Sequence, residues 1–441
     1  MSHAPAKGAP QLARHPLDFV LRAFADVREG EAPTALLLTL NVFLLLTSYY
    51  LLKVAREPLI LIGGGAEIKS YASVGQSILL IGVTSAYSAF ASRVSRMVLA
   101  TWLTIIFVAC LVVFAFLGSR GVPLGIPFFL WVGIFNVTSI AQFWSFAADI
   151  YSEERGKRLF PIVGIGSSAG AVSGAWVADA LLRIGPFGLM LVSAALLIVC
   201  LALTWAVHRR ERDAAAKEPK NHADEPLGTG NGFALVARDR YLLLFAALIF
   251  VLNWITKTGD YVLDTKLIAA AHDAHAATGV KTAEFIGQFK ANYFEWVNGV
   301  GVFLQLFVVS RIIKYLGIRW ALVIMPFCSL AGYGTTFVAP VLGVLFGARV
   351  IESSLDYSLS NTTRQALWLV TSREVKYKAK QVVDTFVVRA GDVMSAALVW
   401  IGVKTALSPR AFIGVNVALS AIWLGLALWL GASYEKKSAT R

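Results

Sequence analysis

The chain has 441 residues, 57% of them hydrophobic and only 15% charged, with a mean hydropathy of +0.66. That much apolar surface cannot be hidden inside one water-soluble core, so lipid must solvate much of it. The net charge of +13 would suit a nucleic-acid partner, but the basic residues gather in short loops between apolar runs, where membrane topology accounts for them and nucleic acid does not.

Residues 1–33 read as a cytoplasmic N-terminal segment. Within it Leu17, Val20, Leu21 and Phe24 fall at helical spacing opposite charges, which predicts an amphipathic helix lying in the membrane interface. Apolar runs close to the roughly 20 residues needed to cross hydrocarbon then recur along the whole chain. Six are predicted at about 34–54, 70–90, 98–118, 124–148, 160–183 and 187–207, forming an N-terminal bundle over 34–207. The stretch 208–239, rich in charge and containing Pro219 and Pro226, reads as a flexible linker. A second bundle over 240–431 holds spans at about 240–259, 291–310, 320–339, 341–362, 382–403 and 411–431, and 432–441 is a tail. Between its first two spans, residues 260–290 are expected to leave the membrane as a short helical excursion. There His272 and His275 have no third ligand nearby and read as a solvated face, so no metal is expected.

Of the 40 Lys and Arg residues, 26 fall on the side of both termini and 11 on the other, which predicts cytoplasmic termini and a cytoplasmic linker. The predicted fold class is therefore an all-α polytopic membrane protein of about twelve transmembrane helices in two six-helix pseudo-repeats, a major facilitator-like layout around a central path. Ser92-Arg-Val-Ser-Arg-Met echoes Ser310-Arg-Ile-Ile-Lys-Tyr, and Gln142–Trp176 echoes Gln365–Trp400, as a duplicated bundle requires. Such a unit, surrounded by lipid, is expected to work as a monomer.

Ionisable side chains in or beside the spans are the informative ones, because an unpaired charge in hydrocarbon is costly. Lys53 and Arg56 share a helical face at the end of the first span, either as an anion-binding pair or as interfacial charges. Asp149 ends the fourth span just before the basic loop of Arg155, Lys157 and Arg158, a position suited to an intracellular gate. In the seventh span and at its end, Lys257, Asp260 and Asp264 fall at helical spacing near the outer mouth, as a gate, a substrate contact or a structural pair. Arg349, Glu352 and Asp356 form one stripe on the tenth span with Arg364 about two turns on, lining a cavity or pairing among themselves. Lys376, Lys378 and Lys380 precede Asp384, Arg389 and Asp392 at the eleventh.

Gly164, Gly166, Gly170 and Gly174 lack the strand and Gly-Lys-Ser/Thr of a nucleotide loop and read as close helix packing. The three cysteines, Cys110, Cys200 and Cys328, read as small core residues. No Ser-His-Asp, HExxH or Cys/His set stands at a usable spacing, so neither an enzyme nor a cofactor is indicated.

Several stretches carry a resemblance to the ATP/ADP translocase, or nucleotide transporter, family of plastids and obligate intracellular bacteria and its wider bacterial relatives. Tyr49-Tyr-Leu-Leu-Lys-Val-Ala-Arg-Glu-Pro-Leu resembles a first-helix motif ending in Lys-Asp-x-Leu. Phe143-Trp-Ser-Phe-Ala-Ala-Asp-Ile resembles Phe-Trp-x-Phe-Ala-Asn-Glu-Ile, and Arg158-Leu-Phe-Pro-Ile resembles Arg-Leu-Tyr-Pro-Leu. Tyr357-Ser-Leu-Ser-Asn-Thr-Thr-Arg-Gln is similar to Tyr-Ser-Leu-Phe-Asp-x-Thr-Lys-Glu. Glu374-Val-Lys-Tyr-Lys-Ala-Lys-Gln-Val-Val-Asp384, followed by Arg389-Ala-Gly-Asp392, is similar to Lys-x-Lys-Ala-x-Ile-Asp and Arg-x-Gly-Lys. By position, the family's exchange residues fall on Arg56, Asp149 and the Lys378/Lys380 pair, while its acidic residue of the seventh helix falls near Thr256.

The resemblance implies a multi-pass transporter of the bacterial inner membrane that carries a phosphorylated, nucleotide-like anion, by ATP/ADP-type exchange or with a proton. Lys53, Arg56, Lys257, Arg364, Lys378, Lys380 and Arg389 would bind substrate. Asp149, Asp260, Glu352, Asp356, Asp384 and Asp392 would gate or couple. The alternatives are a major facilitator-type carrier of another organic solute, and a membrane partner protein that transports nothing.

Overall fold

A computed structural model describes residues 31–91, 96–151, 153–215, 232–368, 370–371, 379–380 and 382–439. These are almost wholly helical, with no strand among the described residues. In chain order the helices are α1 (Ala32–Ala91), α2 (Arg96–Ser119), α3 (Gly125–Ile150), α4 (Glu153–Ala180) and α5 (Gly185–Ala215) in the first half. A short α6 (Gly232–Arg238) leads into α7 (Arg240–Thr278), α8 (Thr282–Phe303), α9 (Val309–Val338), α10 (Leu342–Leu355), α11 (Asn361–Leu367), α12 (Val388–Lys404) and α13 (Pro409–Ala439).

Eight stretches among the described residues are long and apolar enough to cross a membrane. Two of them, Ala32–Val83 and Thr282–Val338, each contain two of the predicted spans. The first is broken at Gly65 and the second at Gly317, where φ of 73° and 75° suits a residue without a Cβ. At Gly65 the chain folds back. Lys69 reaches Glu57 twelve residues earlier at 2.5 Å, whereas a straight helix would hold their Cα atoms about 18 Å apart.

Large apolar side chains such as Ile78, Phe116, Trp176 and Trp400 face outward, while Phe128, Phe135, Phe245 and Trp423 fill the interior. An apolar exterior around an ordered core is what lipid solvation selects, and the chain is a multi-span membrane protein.

Within each bundle, small residues set the helix spacing. A Cβ on Gly166 or Gly170 of α4 would fall 2.4 Å and 2.3 Å from the carbonyl oxygens of Thr39 and Phe43 on α1, so only glycine allows that approach. In the second bundle Gly391 of α12 sits in the same way on α7, its Cβ site 2.8 Å from the Phe250 carbonyl oxygen. Gly164 meets nothing within 4 Å and takes no part in this packing.

The loop expected over 260–290 is shorter than the sequence suggests. The Ala-rich run after Asp264 simply continues α7 to Thr278, Gly279 closes it in the left-handed conformation, and α8 begins three residues later. His275 uses Nδ1 to contact the Val280 carbonyl oxygen at 2.9 Å across that turn. The linker is likewise helical at both ends, since α5 runs to Ala215 and α6 occupies 232–238. The predicted interfacial helix at 14–28 and the basic run at 92–95 lie outside the described residues.

The two bundles meet along corresponding helices. Asn298 of α8 donates to the Ala171 carbonyl oxygen of α4 at 3.1 Å and accepts from the Tyr50 hydroxyl of α1 at 2.9 Å. Ser77, on the second limb of α1, donates to Asp392 of α12 at 3.1 Å.

Candidate functional site

A cavity of about 380 Å³ lies between the bundles, walled by both limbs of α1, by α3, and by α7, α8, α10 and α12. At one end it is bounded by a ring of alternating charges. Lys69 Nζ lies 2.5 Å from Glu57 Oε2 and 2.7 Å from Asp264 Oδ2. Lys290 Nζ lies 2.5 Å from Asp264 Oδ1 and 3.5 Å from Glu57 Oε2. Glu57 and Lys69 belong to the first bundle, Asp264 and Lys290 to the second, so every turn around the ring crosses between the halves twice.

Arg56 extends the ring, donating to Glu57 at 2.9 Å while its guanidinium stacks over Phe129 at 4.5 Å. The carboxylates and Lys290 are almost fully buried, with side-chain exposures of 1%, 2% and 4%. Glu57 lies 25 residues into α1 and Asp264 24 residues into α7, each roughly 36–38 Å from the helix end nearest the linker at 1.5 Å per residue. The ring therefore sits at the end of the molecule away from the linker.

A second cluster lies within the C-terminal bundle. Arg349 donates to Glu352 at 2.7 Å and to Asp260 at 2.6 Å, and Glu352 also accepts from the Tyr333 hydroxyl at 2.9 Å and from Thr256 at 3.3 Å. Arg349 and Glu352 are 1% and 3% exposed, whereas Asp260 is 38% exposed and faces the cavity. Further along the wall, Arg389 pairs with Asp392 at 3.1 Å, and Asp356 pairs with Arg364 at 2.9 Å.

Two ammonium groups are left. Lys53 has no carboxylate or hydrogen-bond partner. Its Nζ rests over aromatic faces, 4.0 Å from the ring centre of Phe294, 4.9 Å from Tyr50 and 5.9 Å from Tyr49. Lys257, on α7 across the cavity, makes no hydrogen bond, close ion pair or ring contact among the described residues.

Of the residues singled out from the sequence, the cavity brings together Lys53, Arg56, Lys257 and Arg389 with Asp260, Glu352, Asp356 and Asp392. Arg364 reaches it only through Asp356. Lys380 donates to Gln365 at 2.7 Å and Asp384 is exposed, so neither lines the cavity. Lys378 and the side chain of Asp149 lie outside the described residues. Lys69 and Lys290 were not anticipated. Each immediately precedes a predicted span, where a lysine looks interfacial. The signal that finds them is the repeat, because both stand at the start of the second span of their bundle.

No protein-family profile matches the chain. Among curated proteins it is 22% identical over 347 residues to ADP,ATP carrier protein 1 of Chlamydia pneumoniae, covering 68% of this chain and 65% of that protein. It is also 22% identical over 343 residues to ADP,ATP carrier protein 4 of Rickettsia felis, with the same two coverages. The chain spans just under two thirds of the length of these relatives. Among solved structures it is similar to an inward-facing bacterial homologue of the ferroportin iron transporter, with TM-score 0.62, 12% identity and coverage of 90% and 98% of the two chains. A bacterial homologue of the lysosomal transporter Spinster, in an inward-facing and unoccupied conformation, matches with TM-score 0.60, 15% identity and coverage of 92% and 98%. The fold is thus that of two-bundle, major facilitator-type transporters, and the curated relatives are carriers, not enzymes.

Proposed function

We propose that the protein is a secondary active transporter that carries a phosphorylated, nucleotide-like anion across the bacterial inner membrane by alternating access of its two bundles. The observation that carries this reading is the cavity. It lies between the bundles, takes cations from both, and is bounded at one end by ion pairs that a rocking motion can break without disturbing either core. A membrane partner protein with no transport function has no need of a charged interior path, since ionisable groups at membrane depth are costly to keep. The names of the curated relatives direct the choice of solute to adenine nucleotides, and ATP/ADP exchange is the mode those names suggest.

In this reading Lys53, Arg56, Lys257 and Arg389 contact the substrate, and Arg364, Lys378 and Lys380 guide it in from the linker side. Asp260, Glu352, Asp356 and Asp392 hold the empty site together, while Asp149 and Asp384 act at the cytoplasmic mouth. With the linker in the cytoplasm, as the distribution of basic residues suggests, the ring around Glu57 and Asp264 is the outer gate.

The test is uptake of labelled ATP, ADP and AMP into proteoliposomes, with and without nucleotide inside. Saturable uptake of a phosphorylated solute, stimulated by internal nucleotide, is expected. Folded protein that moves a neutral or cationic solute but no phosphorylated one would overturn the proposal.

A further inference from the structure

The charges around the cavity close to a definite remainder. Counting Arg364 through its pair with Asp356, eight cations stand against six carboxylates. Every carboxylate is engaged by an Arg or Lys, and six of the cations are used in doing so. The excess of two is carried by the two cationic side chains that form no close ion pair among the described residues, Lys53 and Lys257, one from each bundle.

We infer that Lys53 and Lys257 are the charge-selecting pair of this site, and that the ligand they select is a compact dianion of the phosphomonoester class. The inference rests on the transport reading above and narrows its substrate. When the bundles close over a bound solute they exclude bulk water, so the bound state is most stable when the ligand's charge equals the unmatched charge of the wall. A phosphomonoester carries about −1.5 to −2 near pH 7, which matches two ammonium groups. Each further phosphate adds negative charge that can be matched only by drawing one of the six paired cations out of its pair.

Lys53 is suited to this task by its resting place. Ring faces hold an ammonium without supplying a countercharge, so the group stays ordered in the empty site and remains free to donate to a phosphate oxygen. Phe294 belongs to the opposite bundle, so a ligand that draws Lys53 off that ring also loosens a contact between the halves. Tyr49, Tyr293 and Phe294 supply apolar wall for the organic part of the ligand.

The experiment is a charge series measured on purified protein in EDTA, so that no divalent cation masks the charge. Adenosine, the methyl ester of AMP, AMP, orthophosphate, ADP and ATP are compared by thermal shift and by competition for labelled AMP. AMP is expected to bind at least about tenfold more tightly than its monoanionic methyl ester, ADP or ATP. Orthophosphate binding as well as AMP would assign the site to the phosphate group alone, whereas weak orthophosphate binding would show that the organic part contributes; either supports the dianion.

Lys53→Gln and Lys257→Gln should each weaken AMP by about tenfold and move the optimum to the monoanionic ester, a change of preference that loss of packing alone would not produce. Tighter binding of ADP or ATP than AMP would overturn this inference and leave the nucleotide-transport proposal standing. No binding of any phosphorylated compound by folded protein would remove both. The wild-type series decides between these outcomes even if neither variant folds.

Discussion

Two buried charge clusters face the same cavity, and they differ in what they join. The ring of Glu57, Lys69, Asp264 and Lys290 takes one acid and one base from each bundle, so its bonds exist only while the bundles touch at that end. The cluster of Arg349, Asp260 and Glu352 lies wholly in the C-terminal bundle, tied down by Tyr333 and Thr256, and its bonds survive any movement of one bundle against the other. Similar chemistry thus serves as a latch in one place and as a brace in the other. The distinction follows from topology and not from strength, because both clusters are built on short contacts to carboxylates that are almost fully buried, Glu57 and Asp264 in the ring and Glu352 in the brace.

The brace should show the larger effect when broken. Arg349 is the only cation bonded to Asp260 and Glu352 among the described residues, and Glu352 is almost fully buried. Arg349→Met leaves uncompensated charge in the bundle interior, which should destabilise the protein by about 3–5 kcal/mol. A melting curve in detergent should show a large fall or failure to fold, with or without substrate. A melting point near that of the wild type would mean that the cluster is not the brace described here.

The latch should respond differently. Glu57→Gln removes one of two acids that hold three cations, Arg56, Lys69 and Lys290; Arg56 then has no carboxylate partner among the described residues, and Lys69 and Lys290 share Asp264 alone. Loss of the Lys290–Glu57 contact between the bundles, with the Lys69–Asp264 pair left to hold that end of the ring, should then shift the conformational equilibrium by roughly 1–3 kcal/mol toward opening, while each bundle keeps its own core. Paired spin labels or cysteine accessibility near Gly65 and Gly279 should report increased separation, with a much smaller change in melting temperature than for Arg349→Met. If instead stability falls as far as for Arg349→Met and accessibility does not change, the ring is a structural element and the comparison fails.

The sequence exposes the brace more readily than the latch. Arg349, Glu352 and Asp356 sit inside an apolar run at i, i+3 and i+7, so helical geometry alone puts them on one face at a depth where charge demands a partner. The layout of two bundles is legible for the same reason, since lipid leaves few alternatives to a series of packed helices. The latch is hidden because it depends on contacts made far apart in sequence. Glu57 and Lys69 look like loop charges until the chain folds back at Gly65, and Asp264 and Lys290 look like edges of a long outer loop until α7 and α8 extend toward each other. Pairings between residues 195 positions apart, such as Lys69 with Asp264, have no periodicity to betray them.

An exposed pair supplies the baseline against which both clusters are judged. Asp239 caps α7 by accepting the Tyr241 amide at 2.8 Å, and it pairs with Lys437 of α13 at 2.6 Å; both side chains are more than one third exposed. Partial burial pushes the Asp239 carboxyl up, but the hydrogen bond from Lys437 and the one from the Tyr241 amide outweigh it and hold the group below its ordinary range. A depressed folded-state value means that the stabilisation is present above the unfolded carboxylate value near 3.9 and is lost as the pH falls through the lower folded one. Lys437→Ala should therefore cost less than about 1 kcal/mol at neutral pH, and salt should screen even that. Asp239→Asn keeps an oxygen for the cap and should be nearly as mild, whereas Asp239→Ala removes the cap as well and should cost about 1 kcal/mol. Melting temperatures of the three variants at low and high salt separate these terms. A loss from Lys437→Ala as large as that from Arg349→Met would mean that burial does not set the scale of these charge pairs, and the contrast between latch, brace and surface pair would lose its physical basis.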